Sequence, residues 1–147
     1  MHYRRLLLMA LLSFVTMYVL MYAMVNAFAN VYANVNQFYM AGLMAAPMVV
    51  IELALMGAMY GDRRKNGVIT AVSVAALIMF WILIRQQTAV TDRQFLRSMI
   101  PHHAGAILMC QEAPLRDLEI KELCSAIISS QQSEIVQMKA KLAELER

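Results

Sequence analysis

The stretch Leu6–Phe28, LLLMALLSFVTMYVLMYAMVNAF, carries no charged side chain, and its reading decides the fold. A bilayer crossing needs about 20 mostly apolar residues, and this run is long enough. Arg4 and Arg5 precede it, and Ala27-Phe28-Ala29 resembles a small-residue cleavage site. The run is nevertheless longer than the roughly 7–15 apolar residues of a secretory signal, so we read it as a retained anchor. Two further spans follow. One covers Phe38–Tyr60 and is interrupted only by Glu52; the other covers Gly67–Ile84 and ends at Arg85.

Charge divides the rest of the 147-residue chain. Residues 1–84 hold Arg4, Arg5, Arg63, Arg64 and Lys65 against Glu52 and Asp62, whereas residues 85–147 carry eight charges of each sign. The net charge of +3 therefore sits in the membrane half, where basic residues set orientation. It is no sign of nucleic-acid binding, and the division excludes one large enzyme core. The expected organisation is a three-span membrane region, residues 1–85, followed by a water-exposed domain, residues 86–147. Lys and Arg in excess stay cytoplasmic. Arg4-Arg5 and the loop Asp62-Arg63-Arg64-Lys65 thus place the N-terminus inside, and the uncharged loop Ala29–Gln37 and the C-terminal domain outside.

In that domain Thr91-Asp92-Arg93-Gln94 fits a capping box. Leu96, Met99, His103, Ala106 and Cys110 then fall at the steps of one helical face. Pro101 lies inside this helix; the apolar seam keeps its phase across it, which favours a kinked but continuous helix. Gln111–Arg116, containing Pro114, reads as a turn. A second helix runs to about Leu145, with Ile120, Leu123, Cys124, Ile127, Ile128, Ile135, Met138, Leu142 and Leu145 as its apolar positions. The polar run Ser129–Ser133 is a point where it could loosen. The fold class is all-α: three transmembrane helices and an antiparallel helical hairpin. A hairpin of about 55 residues buries little surface alone, so pairing of two copies into a four-helix bundle is expected, unless the spans or another partner cover it.

Three groups of residues could carry chemistry. His102 and His103 point about 100° apart on a helix, so only one faces the seam; His103 shares a face with Met99, and His102 lines up with Ala106 and Met109. With the turn centred near Ala113–Pro114, Cys124 falls opposite His103. The two cysteines are then offset by about seven residues, or roughly 10 Å, too far for a disulfide, so free thiols are expected. Cys124 with His103 and Met99 would make a sulfur–nitrogen set suited to Cu(I). The third group is methionine, with ten of the 14 in the first 60 residues. Met40, Met44, Met48 and then Glu52 form a stripe at steps of four; such a stripe handles Cu(I) or simply packs, and an intramembrane carboxyl normally faces a bundle interior or a functional path. Glu112 and Glu134 read as ordinary surface carboxylates, and nothing points to an enzyme.

Phe95-Leu96-Arg97-Ser98-Met99-Ile100-Pro101-His102-His103, with Ala106-Ile107 and the later Gln131-x-x-Glu134-Ile135-x-x-Met138, resembles the CopM-like family. That family is ferritin-like, is catalogued as a domain of unknown function and includes periplasmic copper-binding proteins. The resemblance covers residues 91–145 or so, and a membrane-embedded subgroup carries similar spans. It implies copper binding or resistance at a bacterial cytoplasmic membrane, with Met99, His102, His103 and Met138 as ligands, while Cys110 and Cys124 look like additions to the family pattern. Two other readings come from different classes. Met40-x-x-x-Met44 in a second span of three resembles the high-affinity copper transporters, although their N-terminus lies outside; Gly67, Ala71 and Ala75 give the third span a small-residue face. The other is an accessory or scaffold subunit.

Overall fold

A computed structural model describes residues 2–147. Among them are five α-helices and no strand: α1 His2–Leu20, α2 Val35–Met56, α3 Arg63–Gln86, α4 Asp92–Glu112 and α5 Leu118–Leu145. Short 3₁₀ turns cover Met21–Met24, Phe28–Asn30 and Gly57–Met59. The chain divides into two compact units. One comprises residues up to Met21 together with Asn36–Thr88; the other comprises Tyr22–Val35 and Ala89–Arg147.

The first unit holds the three apolar helices, and the segments long and apolar enough to cross a membrane are His2–Met24, Val35–Met59 and Arg63–Gln86. They begin earlier than the uncharged runs suggest, because helix geometry continues through flanking polar residues. α2 buries Gly42, Ala45, Ala46, Val49 and Leu53, the spacing of one helix face. Phe80 of α3 packs against Gly42, where a β-carbon would collide with its ring. Leu6, Val49, Leu53 and Tyr60 form an apolar cluster with Tyr3, Met9, Ala10 and Ile69 packed around it. Asp62 caps α3 by accepting hydrogen bonds from the Arg64 and Lys65 amides. At its other end α3 stops on Gln87, which takes up the left-handed conformation (φ 50°) that a helix terminus often requires.

The second unit is built on α4 and α5, which run antiparallel. Cys110 is joined to Cys124, His103 meets Glu134, and Arg93 donates to the Leu145 carbonyl. α4 passes through Pro101 without a break, as the seam suggests, and α5 is continuous through Ser129–Ser133. Thr91 caps α4 by accepting from the Gln94 amide at 3.4 Å. The other half of the capping box is not made: Gln94 Oε1 accepts from the Val35 amide instead.

That contact belongs to an unexpected layer. Tyr22–Val35, which takes in the end of the expected first span as well as most of the uncharged loop Ala29–Gln37, folds as part of this unit, since α1 stops at Leu20. Val25 and Tyr32 pack on the core of Ile100, Ala104, Ile107, Ile135 and Leu142. The inner face of α4 is therefore Ile100, Pro101, His103, Ala104, Gly105 and Ile107, wider and shifted from the expected Met99–His103–Ala106–Cys110 seam. Two neighbours cover α4 instead of one. Asn30 and Asn34 are buried in this layer; Asn30 donates to Asn26, and Asn34 donates to the Tyr32 carbonyl and accepts from Ser98. The loop supplies apolar cover for α4 from within the chain, while Ile120 and Leu123 of α5 stay exposed.

Candidate functional site

His103 is the one buried imidazole of the helix pair, 7% exposed. Its Nδ1 lies 2.9 Å from the Met99 carbonyl oxygen, one turn back on α4. Its Nε2 lies 2.7 Å from Glu134 Oε2, across the pair on α5. A carbonyl oxygen only accepts, so the Met99 contact calls for hydrogen on Nδ1. Glu134 is also held by the Ser130 hydroxyl, which donates to Oε1 at 2.7 Å. The Ser130 hydrogen bond, and after it that of His103, keeps the Glu134 carboxyl below its ordinary pKa. Glu134 is therefore no ordinary surface carboxylate. The signal was present in the sequence: Glu134 stands four residues after Ser130, and one helix crossing places it against His103.

The other expected ligands are distributed as follows. His102 is exposed, with its ring centroid 6.0 Å from that of His103. Met109 is also exposed, and Met99 and Met138 are half-buried, Met138 against the core. Cys110 and Cys124 form a disulfide with Cα atoms 5.2 Å apart, so the expected free thiols and the pairing of Cys124 with His103 are overturned. The turn was placed too early. α4 continues to Glu112, and the Asp117 side chain caps α5 by accepting from the Ile120 amide. The centre of the turn thus moves past Pro114, and Cys110 comes level with Cys124. Among the described residues, no three of His, Cys, Asp and Glu converge as a metal site.

In the first unit Met40 and Met44 are exposed, and Met48 is half-buried where it lines a groove against α1 with Met9 and Met17. The buried face of α2 is the neighbouring small-residue face. Glu52 accepts a hydrogen bond from Tyr60 at 3.1 Å.

The copper set can be tested against these positions. Two imidazoles sharing one ion at about 2.0 Å per bond need centroids roughly 5–6 Å apart, and His102 and His103 are at the edge of that span. The ring separation is compatible with one shared ion, but both His103 nitrogens are engaged, by the Met99 carbonyl and by Glu134, and the bonded sulfurs are not thiolate ligands.

Residues 56–142, from the end of α2 through α3 and α4 to Leu142 of α5, match a family described as "Domain of unknown function (DUF305)". The chain belongs to the DUF305 family. A relative from Acanthamoeba polyphaga mimivirus, "Uncharacterized protein L153", is 39% identical over 111 residues, 74% of this chain and 71% of the viral one. No solved structure matches. Because the DUF305 match takes in α3 as well as the helix pair, the family pattern is not confined to the helix pair.

Proposed function

We propose that this DUF305 chain is a membrane-anchored metal-binding protein, not an enzyme, and that its helix pair holds copper, as Cu(I), outside the cytoplasm. The observation that carries the reading is the setting of His103. Its Nδ1 is committed to the Met99 carbonyl, which fixes the ring and leaves Nε2 as the ligating atom; ligating histidines are commonly oriented in this way. Glu134 stands at that nitrogen, and an ion bound there would take the place of this contact. His102 would supply the second imidazole, and Met99 and Met109 are the nearest thioethers along α4. The CopM-like, ferritin-like likeness and the bacterial cytoplasmic membrane belong to this proposal and rest on the sequence resemblance.

The proposed orientation, with the N-terminus cytoplasmic, rests on the basic ends Arg4-Arg5 and Arg63-Arg64-Lys65. Two features agree with it. The loop Tyr22–Val35 belongs to one unit with the helix pair, which agrees with three spans leaving both on one side of the membrane. A disulfide suits an oxidising compartment.

The test uses the full chain in detergent, competing for Cu(I) with a chromophoric chelator. H102A combined with H103Q, whose amide can still bond Glu134, should weaken binding at least tenfold while circular dichroism retains the helices; lesser changes around a metal already cost about 10–100-fold. Unchanged competition would refute the reading.

A further inference from the structure

We infer that Cys110 and Cys124 form a second, redox-gated soft-metal site, closed when the two sulfurs are bonded and able to hold one Cu(I) when they are reduced. The placement of the pair carries the inference. Cys110 lies in the last turns of α4 and Cys124 in the second turn of α5, with Cα atoms 5.2 Å apart. The buried core of the unit, Ile100, Ala104 and Ile107 on α4 and Ile135 and Leu142 on α5, lies on one side of the cysteine pair along the helices, with Ile107 one turn from Cys110. From Leu108 to Glu134 no residue is buried. Between the cysteines and beyond them to Glu134 the bond covers no buried residue, and the two sulfurs stay on helices that the core from Ile107 back to Ile100, with Ile135 and Leu142, holds side by side.

The chemistry balances with a small-molecule thiol as reductant. One thiolate attacks a cysteine sulfur, the protein disulfide breaks, and a mixed disulfide forms as the other cysteine leaves as thiolate. A second thiol displaces the first as a small-molecule disulfide, so the protein gains two electrons and two protons while the two thiols are oxidised. Cu(I) then binds the dithiol with loss of both S–H protons and formation of two S–Cu bonds. Thiolate is the soft ligand that Cu(I) prefers. A small-molecule disulfide reverses the cycle: the protein disulfide re-forms, two thiols are released, and the ion is expelled. Capture and release thus follow the thiol balance of the compartment. The choice of ion rests on the copper reading above; the cysteine site does not use its imidazoles.

The test compares the full chain in its disulfide form with the same chain reduced by a phosphine and desalted, both anaerobic in detergent. Each competes for Cu(I) with bicinchoninate. The reduced chain should hold one more equivalent, and oxidised glutathione should release it. C110S/C124S treated identically should lack that equivalent, whereas H102A/H103Q should keep it, so failure of the imidazole site and failure of this one are read separately. Equal copper in the two forms, or an extra equivalent that survives in C110S/C124S, overturns the inference. So does loss of helical circular dichroism on reduction, since the bond would then be only a staple.

Discussion

His103 Nε2 and Glu134 Oε2 meet at 2.7 Å although 31 residues separate them. The contact joins the buried side of α4 to a side chain on α5 that is 46% exposed, so it is open to solvent and to titration from one side. Folding lowers the Glu134 pKa through Ser130 and His103. A depressed carboxylate stabilises the fold above its ordinary value and loses that effect as pH falls through the lower folded one. The second unit should therefore melt at lower temperature below about pH 4.5, and E134Q should flatten that part of the curve. Thermal melts followed by circular dichroism at a series of pH values check this. A slope unchanged in E134Q would mean that other carboxylates govern acid stability.

A second expectation concerns the loop Tyr22–Val35. Asn34 is buried, donates to the Tyr32 carbonyl and accepts from Ser98. Asn34→Ala removes the Ser98 contact and one of the two hydrogen bonds to the Tyr32 carbonyl, which keeps the Tyr22 hydroxyl, and a lost hydrogen bond costs about 0.5–1.5 kcal/mol. Hydrogen exchange should rise in residues 22–35 and along the facing side of α4, while α1–α3 keep their protection. If exchange in the loop is unchanged, the loop does not depend on this contact for its place on α4.

In the membrane unit, Gly42 is the position most sensitive to size. A β-carbon there runs into the Phe80 ring, and overpacking a closed contact costs about 1–3 kcal/mol. Gly42→Val should lower the melting temperature in detergent, and shrinking the ring with Phe80→Leu in the same chain should recover part of the loss. Additive losses in the double variant would show that the two residues do not share a contact.

How much of this was legible in the sequence follows from how local each signal is. The three spans and the continuous α4 through Pro101 could be read because apolar runs and phase are local properties. The inner face of α4 was shifted because a second neighbour, the loop with Asn26, Asn30 and Asn34 at steps of four, lies more than 60 residues away in the chain. A single-neighbour seam was the wrong premise. The cysteine pairing failed for a smaller reason: Pro114 drew the turn forward, although Asp117 was the residue with the chemistry of a helix cap. Glu134 was passed over because a carboxylate on an exposed helix is ordinary until its partner is known. His103 and His102 were separated correctly, one inward and one outward, since adjacent helical residues cannot share a face.

The last expectation is topological. With Arg4-Arg5 and Arg63-Arg64-Lys65 cytoplasmic, the α2–α3 loop and the helix pair lie on opposite sides. Cys110 and Cys124 are the only cysteines, and they are bonded, so both must be reduced before they can be labelled. In intact cells or spheroplasts treated with a reductant, a membrane-impermeant maleimide should label these two. A cysteine introduced by Asn66→Cys into a C110S/C124S background should stay protected until lysis. Asn66 accepts a hydrogen bond from Tyr3 at 2.8 Å and donates to the Tyr60 carbonyl, so Asp62→Cys is unsuitable as a second probe because it also removes the α3 cap; Gly61→Cys, with nothing within 4 Å of an added β-carbon, serves instead. Labelling at 61 and 66 in intact cells, with the helix-pair cysteines protected, would invert the orientation and put the disulfide on the reducing side. The redox-gated site would then have to work against the cytoplasmic thiol pool.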